Sequence, residues 1–426
     1  MWTREAVLAV SPDSGSVAAA TKLSTARSWS AEGADEHAVW GLCAGSGGNP
    51  YQTVVDLDGP AYRCSCPSRK FPCKHALALL LRWSAGQVPA AERPDSTTTW
   101  LESRTARTPR STGTVPDPEA AARRSARRAE RVSAGLAELD VWLADQVRTG
   151  LAAAARSGYS YGAATAARMV DAQAPGLASA LRRLPGTVVS GDGWTGRLLE
   201  ELALLRLLVA AHARLEDLPG PEAATVRAHV GYPVRAEDVL ATPGVRDQWA
   251  VTGVRDVLAD NLTARRVWLR GDATGRPALV LTFTPSGTAP DTSLPVGTVL
   301  DADLHFHPGT PALRAVVGTR HGEPRPLTRL SPCSAARAVA EFGRAVAADP
   351  WTRHWPVVVS DVVPVAHDEE VSLVGADGTL PVHPGGADVW RMLAVSGGFP
   401  VTVTGELGAR GLRPTGVLGT GALVGL

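Results

Sequence analysis

The chain has 426 residues, 44% hydrophobic and 20% charged, which is room for roughly two to four domains that each bury a core. Its 43 basic and 42 acidic residues nearly cancel to a net charge of +1, so no global field draws it to nucleic acid or to an anionic membrane. The opening Met1-Trp2-Thr3-Arg4-Glu5 lacks the apolar run of a secretory leader. The most apolar helical stretch, Leu198 to Ala213, carries Glu200, Glu201, Arg206 and His212 and is too short and too charged to span a bilayer. These features predict a cytoplasmic protein with no membrane partner. In that reducing compartment five cysteines point to metal before disulfide.

Residues 1 to about 38 show no clear period. Two β-rich runs then flank a Gly/Ser/Asn turn, Val39 to Cys43 and Tyr51 to Leu57, and predict a hairpin. The next segment, Cys64-Ser65-Cys66-Pro67-Ser68-Arg69-Lys70-Phe71-Pro72-Cys73-Lys74-His75, holds three thiols and one imidazole. That is the usual donor set of a closed, tetrahedral structural zinc site. Residues two apart on a strand sit roughly 6.5–7 Å apart, too far to share one ion. The chain must therefore bend between Cys64 and Cys66. Two residues turn a helix by about 200°, so Cys73 and His75 cannot share a helical face. Cys73 is expected just before a helix and His75 in its first turn, with the helix continuing through Ala76 to Trp83. The metal would close a ββα unit too small to fold alone.

Ser84 to Pro118 is rich in Pro, Ser, Thr and Arg and reads as a linker. From Glu119 to Leu218 the chain is helical, with breaks expected at Gly158, Pro175-Gly176, Pro185-Gly186 and Pro219-Gly220. Its best helix, Trp194 to Leu215, carries Leu198, Leu202, Leu205 and Val209 along one stripe and predicts a small bundle. From Gly231 onward short segments rich in Val, Leu and Thr, punctuated by Gly and Pro, carry an all-β signature. Examples are 264–269, 277–283, 298–306, 356–363 and 401–407, with helices at 334–348 and near 387–395. The fold class is thus multidomain α+β. An N-terminal zinc module (1–84, finger about 38–84) is followed by a linker (85–118) and a helical domain (119–220). A β-rich region of small barrels or sandwiches (221–426) completes the chain and is divisible into two subdomains.

The C-x-C, six-residue, C-x-H spacing between a strand pair and an apolar helix resembles the SWIM zinc finger, and it matches at Cys64, Cys66, Cys73 and His75. Trp40-Gly41, Tyr51 and the helix through Trp83 extend the likeness. The whole sequence also resembles bacterial SWIM zinc finger family proteins, at 169–177 and 268–283. The resemblance implies one structural zinc and a module that binds DNA or protein. It also implies an association with MoxR-type AAA ATPases and von Willebrand A-domain proteins.

Arg63, Arg69, Lys70, Lys74 and Arg82 surround the finger, and Arg123, Arg127 and Arg131 form a stripe at helical spacing. All eight are candidate contacts to phosphates or to an acidic partner. Against this, residues 1–133 hold 17 basic and 13 acidic residues, a small excess. Cys43 reads as a packing residue, and Cys333, with no base beside it, needs no role. His305 and His307, with Asp301 or Asp303, form an incomplete metal set. No phosphate loop and no H-E-x-x-H helix is present, and a four-ligand zinc leaves no position for a reacting water. The preferred reading is a zinc-binding adaptor, not an enzyme, that contacts other proteins within an ATPase system. The runner-up is a DNA-binding protein using the finger and the arginine stripe, and the third is an enzyme in the β-rich half.

Overall fold

The computed structural model describes residues 4–11, 14–45, 50–57, 61–66, 68, 72–105, 118–259, 262–285, 290–368, 370–383, 389–419 and 421–426. Helices α1 (Arg4–Ala9) and α2 (Ser14–Leu23) lead into an antiparallel sheet ordered β1 (Trp29–Ala34), β2 (Ala38–Cys43), β3 (Tyr51–Asp56) and β4 (Ala61–Cys64). Helix α3 (Lys74–Ser84) packs on it, with every residue from His75 to Arg82 buried. The expected hairpin is β2–β3, in register from Ala38 opposite Asp56 to Cys43 opposite Tyr51. The ββα unit is thus the centre of a larger module with two more strands. β1 escapes a period-two reading because its register shifts between Ser30 and Gly33, with Ala31 at φ 49°. Gly33 is required there, since a Cβ would lie 2.6 Å from the Trp40 ring.

The stretch read as a linker begins with regular structure. The Ala34 amide donates to the Pro89 carbonyl at 3.0 Å, and Arg93 pairs with Asp35. Helix α4 (Asp95–Thr105) then lays Trp100 and Leu101 on Ala38, Trp40 and Val54. This covers the sheet face opposite the finger. A segment with almost no hydrophobic period is ordered by two apolar side chains that meet an existing surface. The rest of that stretch, 106–117, lies outside the described residues.

Seven helices follow: α5 (Pro118–Thr149), α6 (Ala152–Ser157), α7 (Ala163–Asp171), α8 (Pro175–Val188), α9 (Trp194–Ala213), α10 (Gly220–Val230) and α11 (Ala236–Leu240). The bundle core joins Val132, Leu136, Leu139 and Leu143 of α5 to Leu177, Leu181 and Leu184 of α8 and the Leu198–Val209 stripe of α9. Prolines 175 and 221 stand in first turns, where a missing amide costs nothing. The break expected at Pro185-Gly186 does not occur. Pro185 sits buried inside α8, which runs on to Val188. The helical region also extends beyond Leu218 through α10.

The β-rich half holds two sheets. β5 (Val245–Ala259), β6 (Leu262–Gly271), β7 (Pro277–Pro285), β8 (Thr298–Phe306) and β9 (Arg314–Arg320) pair in the ring β8-β5-β6-β7-β9-β8, a closed barrel, with β10 (Arg325–Pro326) beside β8. Trp249, Leu269, Leu300 and Leu304 fill its interior. Helix α12 (Ala335–Ala348) leads to β11 (Trp355–His367), β12 (Glu370–Gly375) and β13 (Gly378–Pro381). Helix α13 (Val389–Ser396) precedes β14 (Val401–Gly408), β15 (Gly411–Leu418) and β16 (Leu423–Gly425). These six strands form one antiparallel sheet ordered β13-β12-β11-β14-β15-β16.

Polar contacts join the parts. Buried Glu406 accepts the Trp268 indole N–H at 2.6 Å and pairs with Arg255 at 2.7 Å, tying the barrel to the second sheet. His229 meets Asp349 at 2.9 Å, and the Trp351 indole donates to the Leu204 carbonyl at 2.9 Å. Arg353 pairs with Glu201 across the same seam between bundle and β half. Among the described residues no helix is long and apolar enough to cross a membrane.

Candidate metal centre

Each ligand is placed by a different element. Cys64 is the last residue of β4, opposite Thr53. Ser65 still faces Gln52 of β3. The Ser65 amide donates to the Gln52 carbonyl at 3.0 Å, and the Ser65 hydroxyl accepts the Gln52 amide at 3.0 Å. These bonds carry the pairing with β3 one residue further, and the bend that a shared ion requires comes at Cys66. Cys73 is the N-cap of α3 with extended backbone, and His75 is the second residue of the helix. Cys73 and His75 are buried, while Cys64 and Cys66 are half-buried.

The four ligand atoms lie within 4.8 Å of one another. His75 Nδ1 stands 3.7 Å from Cys64 Sγ and 3.9 Å from Cys73 Sγ. Ligands bound at about 2.3 Å around a tetrahedral ion are separated by about 3.8 Å, so the donor set and its spacing both fit zinc. The Tyr51 ring packs on the His75 imidazole, with centroids 4.8 Å apart. The Thr53 hydroxyl lies 3.3 Å from Cys64 Sγ, an outer contact that orients the ligand.

Without a cation three neighbouring thiols cannot all ionise. A hydrogen bond from the Cys73 thiol holds Cys64 down at about 4, helped by His75 and Thr53 against the cost of burial. The partner pays for that: the same Cys64 contact, together with burial, pushes Cys73 far up, and burial raises Cys66. A divalent ion reverses this pattern, because coordinating thiols lose their protons outright. Zinc here supplies a structural cross-link between β4 and α3. All four of its positions are taken by protein.

Residues 53–84 match the family model described as SWIM zinc finger, and residues 127–230 match that described as SWIM-associated four-helix bundle domain. These matches support a SWIM-domain protein. No curated protein and no solved structure matches the chain. The two matched regions are the finger and the helices from α5 to α10.

The candidate contact residues fall into different classes. Arg63 on β4 and Lys74 at the start of α3 are exposed, while Arg69 and Lys70 lie outside the described residues. Arg82 is not a contact residue. It is 4% exposed, and its Nε and Nη2 donate to the Glu32 carboxylate at 2.6 and 2.8 Å. Its Nη1 reaches the Ser24 carbonyl and Gln87 at 3.2 Å. Arg123, Arg127 and Arg131 are exposed along the start of α5, ahead of its first core residue, Val132. Sequence reasoning passed over their neighbour Arg128, whose Nη2 donates to the carbonyls of Gln173 and Gly231 at 2.9 and 3.1 Å.

Cys43 packs, as expected, and the other candidates meet their own surroundings. Cys43 is buried and pushed up to about 11 by burial, and Cys333 is raised for the same reason. His305 Nδ1 is bonded to the Thr242 carbonyl at 2.7 Å, Asp303 to His321 and Asp301 to Arg246. Burial holds His307 down at about 4. Among the described residues the Cys64–His75 set is the one metal-type cluster.

Proposed function

We propose that this chain is a zinc-stabilised adaptor that binds another protein in the cytoplasm, as part of a MoxR-type AAA ATPase system with its von Willebrand A-domain components. On this reading it performs no chemistry of its own. The observation that carries it is a pair of exposed aromatics, Trp390 in the first turn of α13 and Phe399 just beyond its end, at 73% and 74% exposure. Large aromatics left in water are the residues that anchor protein interfaces. The opposite side of α13 is held by buried Met392, so the aromatics sit on a fixed support. The sealed zinc site supports the same reading, since it has no open position for substrate.

The test is affinity capture of the full chain from its own cells, comparing the natural protein with a Trp390→Ala, Phe399→Ala double variant. An ATPase component captured by the first and lost by the second, with zinc content equal, is the expected result. Equal capture by both would remove the aromatics from the interface.

A second reading has its own observation. Arg123, Arg127 and Arg131 stand exposed on consecutive turns of α5. Were they a phosphate-binding stripe, affinity for duplex DNA would fall steeply with salt, and each Arg→Ala change would flatten that slope by about one unit.

A further inference from the structure

Where the barrel meets α12 and the second sheet lies a recess of about 250 Å³, lined in part by Arg270, Glu341, Arg344 and Trp355 and walled by Pro277 and Pro311. It belongs neither to the finger nor to the surface around α13. Its polar groups are unbalanced. Arg270, the penultimate residue of β6, meets Glu341 only at 3.4 and 3.5 Å. A well-formed guanidinium–carboxylate pair closes to about 2.7–2.9 Å. The same Glu341 is shared with Arg337 at 3.7 Å. Arg344, one turn further along α12, has no ion pair or hydrogen bond among the described residues.

Two donors in the walls also lack acceptors. Arg270 Nε and Trp355 Nε1 are both buried and unbonded. Buried N–H groups almost always find a partner, and the exceptions call for an ion, a water or a ligand. Both unmet groups among its lining residues are donors, so the partner they call for is an acceptor.

We propose that this recess binds a carboxylate carried on a short apolar stem, with Arg270 and Arg344 receiving the anion. Arg270 and Arg344 in the lining, with Arg337 beside Glu341, outweigh that one glutamate, so the recess favours an anion, and its apolar walls favour a carboxylate on a carbon stem over inorganic phosphate. Pro277, Pro311 and the Trp355 ring offer an apolar lining for the carbon chain. Arg is the side chain whose planar fork matches a carboxylate at two points. Binding would draw Arg270 away from its loose contact with Glu341 and turn its guanidinium toward a better acceptor.

The experiment uses the full, zinc-loaded chain and the probe butyrate, with butanol and inorganic phosphate at matched ionic strength as comparisons. The readout is the indole N–H resonance of Trp355, assigned by its loss in Trp355→Phe. A calorimetric titration needing no assignment runs beside it. The expected result is a saturable shift with butyrate and none with butanol. Arg344 is exposed, so Arg344→Ala should fold normally, and it should weaken binding roughly tenfold or more, as loss of a charge-assisted hydrogen bond does. Absence of a saturable response to butyrate by both methods overturns the proposal, and so does equal affinity in Arg344→Ala. Phosphate binding more tightly than butyrate also overturns it, by assigning the recess to the other anion class.

Discussion

Arg82 carries the clearest case of a residue whose role depends on something distant in the chain. In the sequence it is one of five basic residues around a metal finger. In the fold its side chain is 5% exposed and clamps the carboxylate of Glu32, fifty residues earlier, fixing the end of α3 to β1. Removing one partner of such a pair leaves a buried charge without a counter-ion, which costs about 3–5 kcal/mol. Arg82→Ala should therefore destabilise the zinc-loaded finger by that order, and Glu32→Ala by a similar amount. The double variant should cost clearly less than the two singles together, because no lone charge remains. Urea unfolding of the zinc-loaded chain measures all three. A cost for Arg82→Ala below about 1 kcal/mol would return the residue to the surface class. The ligands were legible for the opposite reason. Cys64, Cys66, Cys73 and His75 fall within twelve residues, and their chemistry demands a shared ion whatever the rest of the fold does. Arg128 was as hidden as Arg82, since its acceptors, Gln173 and Gly231, lie 45 and 103 residues away.

At the scale of elements, glycine and proline show what a local reading can and cannot reach. Pro175-Gly176 and Pro185-Gly186 look alike in sequence, and both predict breaks. The first begins α8, and the second lies within it. The two glycines differ as sharply. A Cβ at Gly176 would overlap the His229 carbonyl where the start of α8 meets the end of α10, whereas at Gly186 it would meet nothing within 4 Å. Gly176→Ala should destabilise the bundle by about 1–3 kcal/mol through overpacking against backbone. Gly186→Ala should stabilise it by about 0.4–1 kcal/mol, because alanine restricts the unfolded chain more than glycine does. Opposite shifts of the bundle's unfolding midpoint are the expected outcome. Two shifts of the same sign would mean that the α8–α10 contact is looser than the structure has it. The amphipathic stripe of α9 and the short Val-rich strands were readable because periodicity is local. β5 was not, since Arg246, Asp247, Arg255 and Asp256 interrupt its pattern and its register shifts between Val251 and Gly253. β1 and α4 were missed on similar grounds, being set by Trp40, whose ring packs on Gly33 and with Trp100.

Across the whole molecule the hydrophobic clusters divide into sets with different dependence on metal. Among the described residues the cluster around the finger draws on α1, α2, β1 to β4 and α3, from Val7 to Val88, and α4 adds Trp100 and Leu101 to the other sheet face. The bundle and the β half share a seam in which His229–Asp349, Trp351–Leu204 and Arg353–Glu201 cross from α9 and α10 to the segment before β11. The barrel and second sheet share Glu406 and a further cluster of Ala250, Leu327, Leu330, Val358 and Leu423. Zinc binding contributes of order 10 kcal/mol to small domains of this type, comparable to the whole stability of such a domain. Chelating zinc, or substituting Cys64→Ser or His75→Ala, should therefore release the N-terminal module as a unit out to α4. The bundle and β half should stay folded together. Hydrogen exchange read by mass spectrometry locates the change directly: peptides from β2, β3 and α3 lose protection, while those from α9, β6 and β14 keep theirs. Loss of protection in β14 on chelation would show that the metal supports more than its own module. Retention of protection in α3 would show that the Val7–Val88 core holds without the ion, leaving zinc only to join the end of β4 to the start of α3.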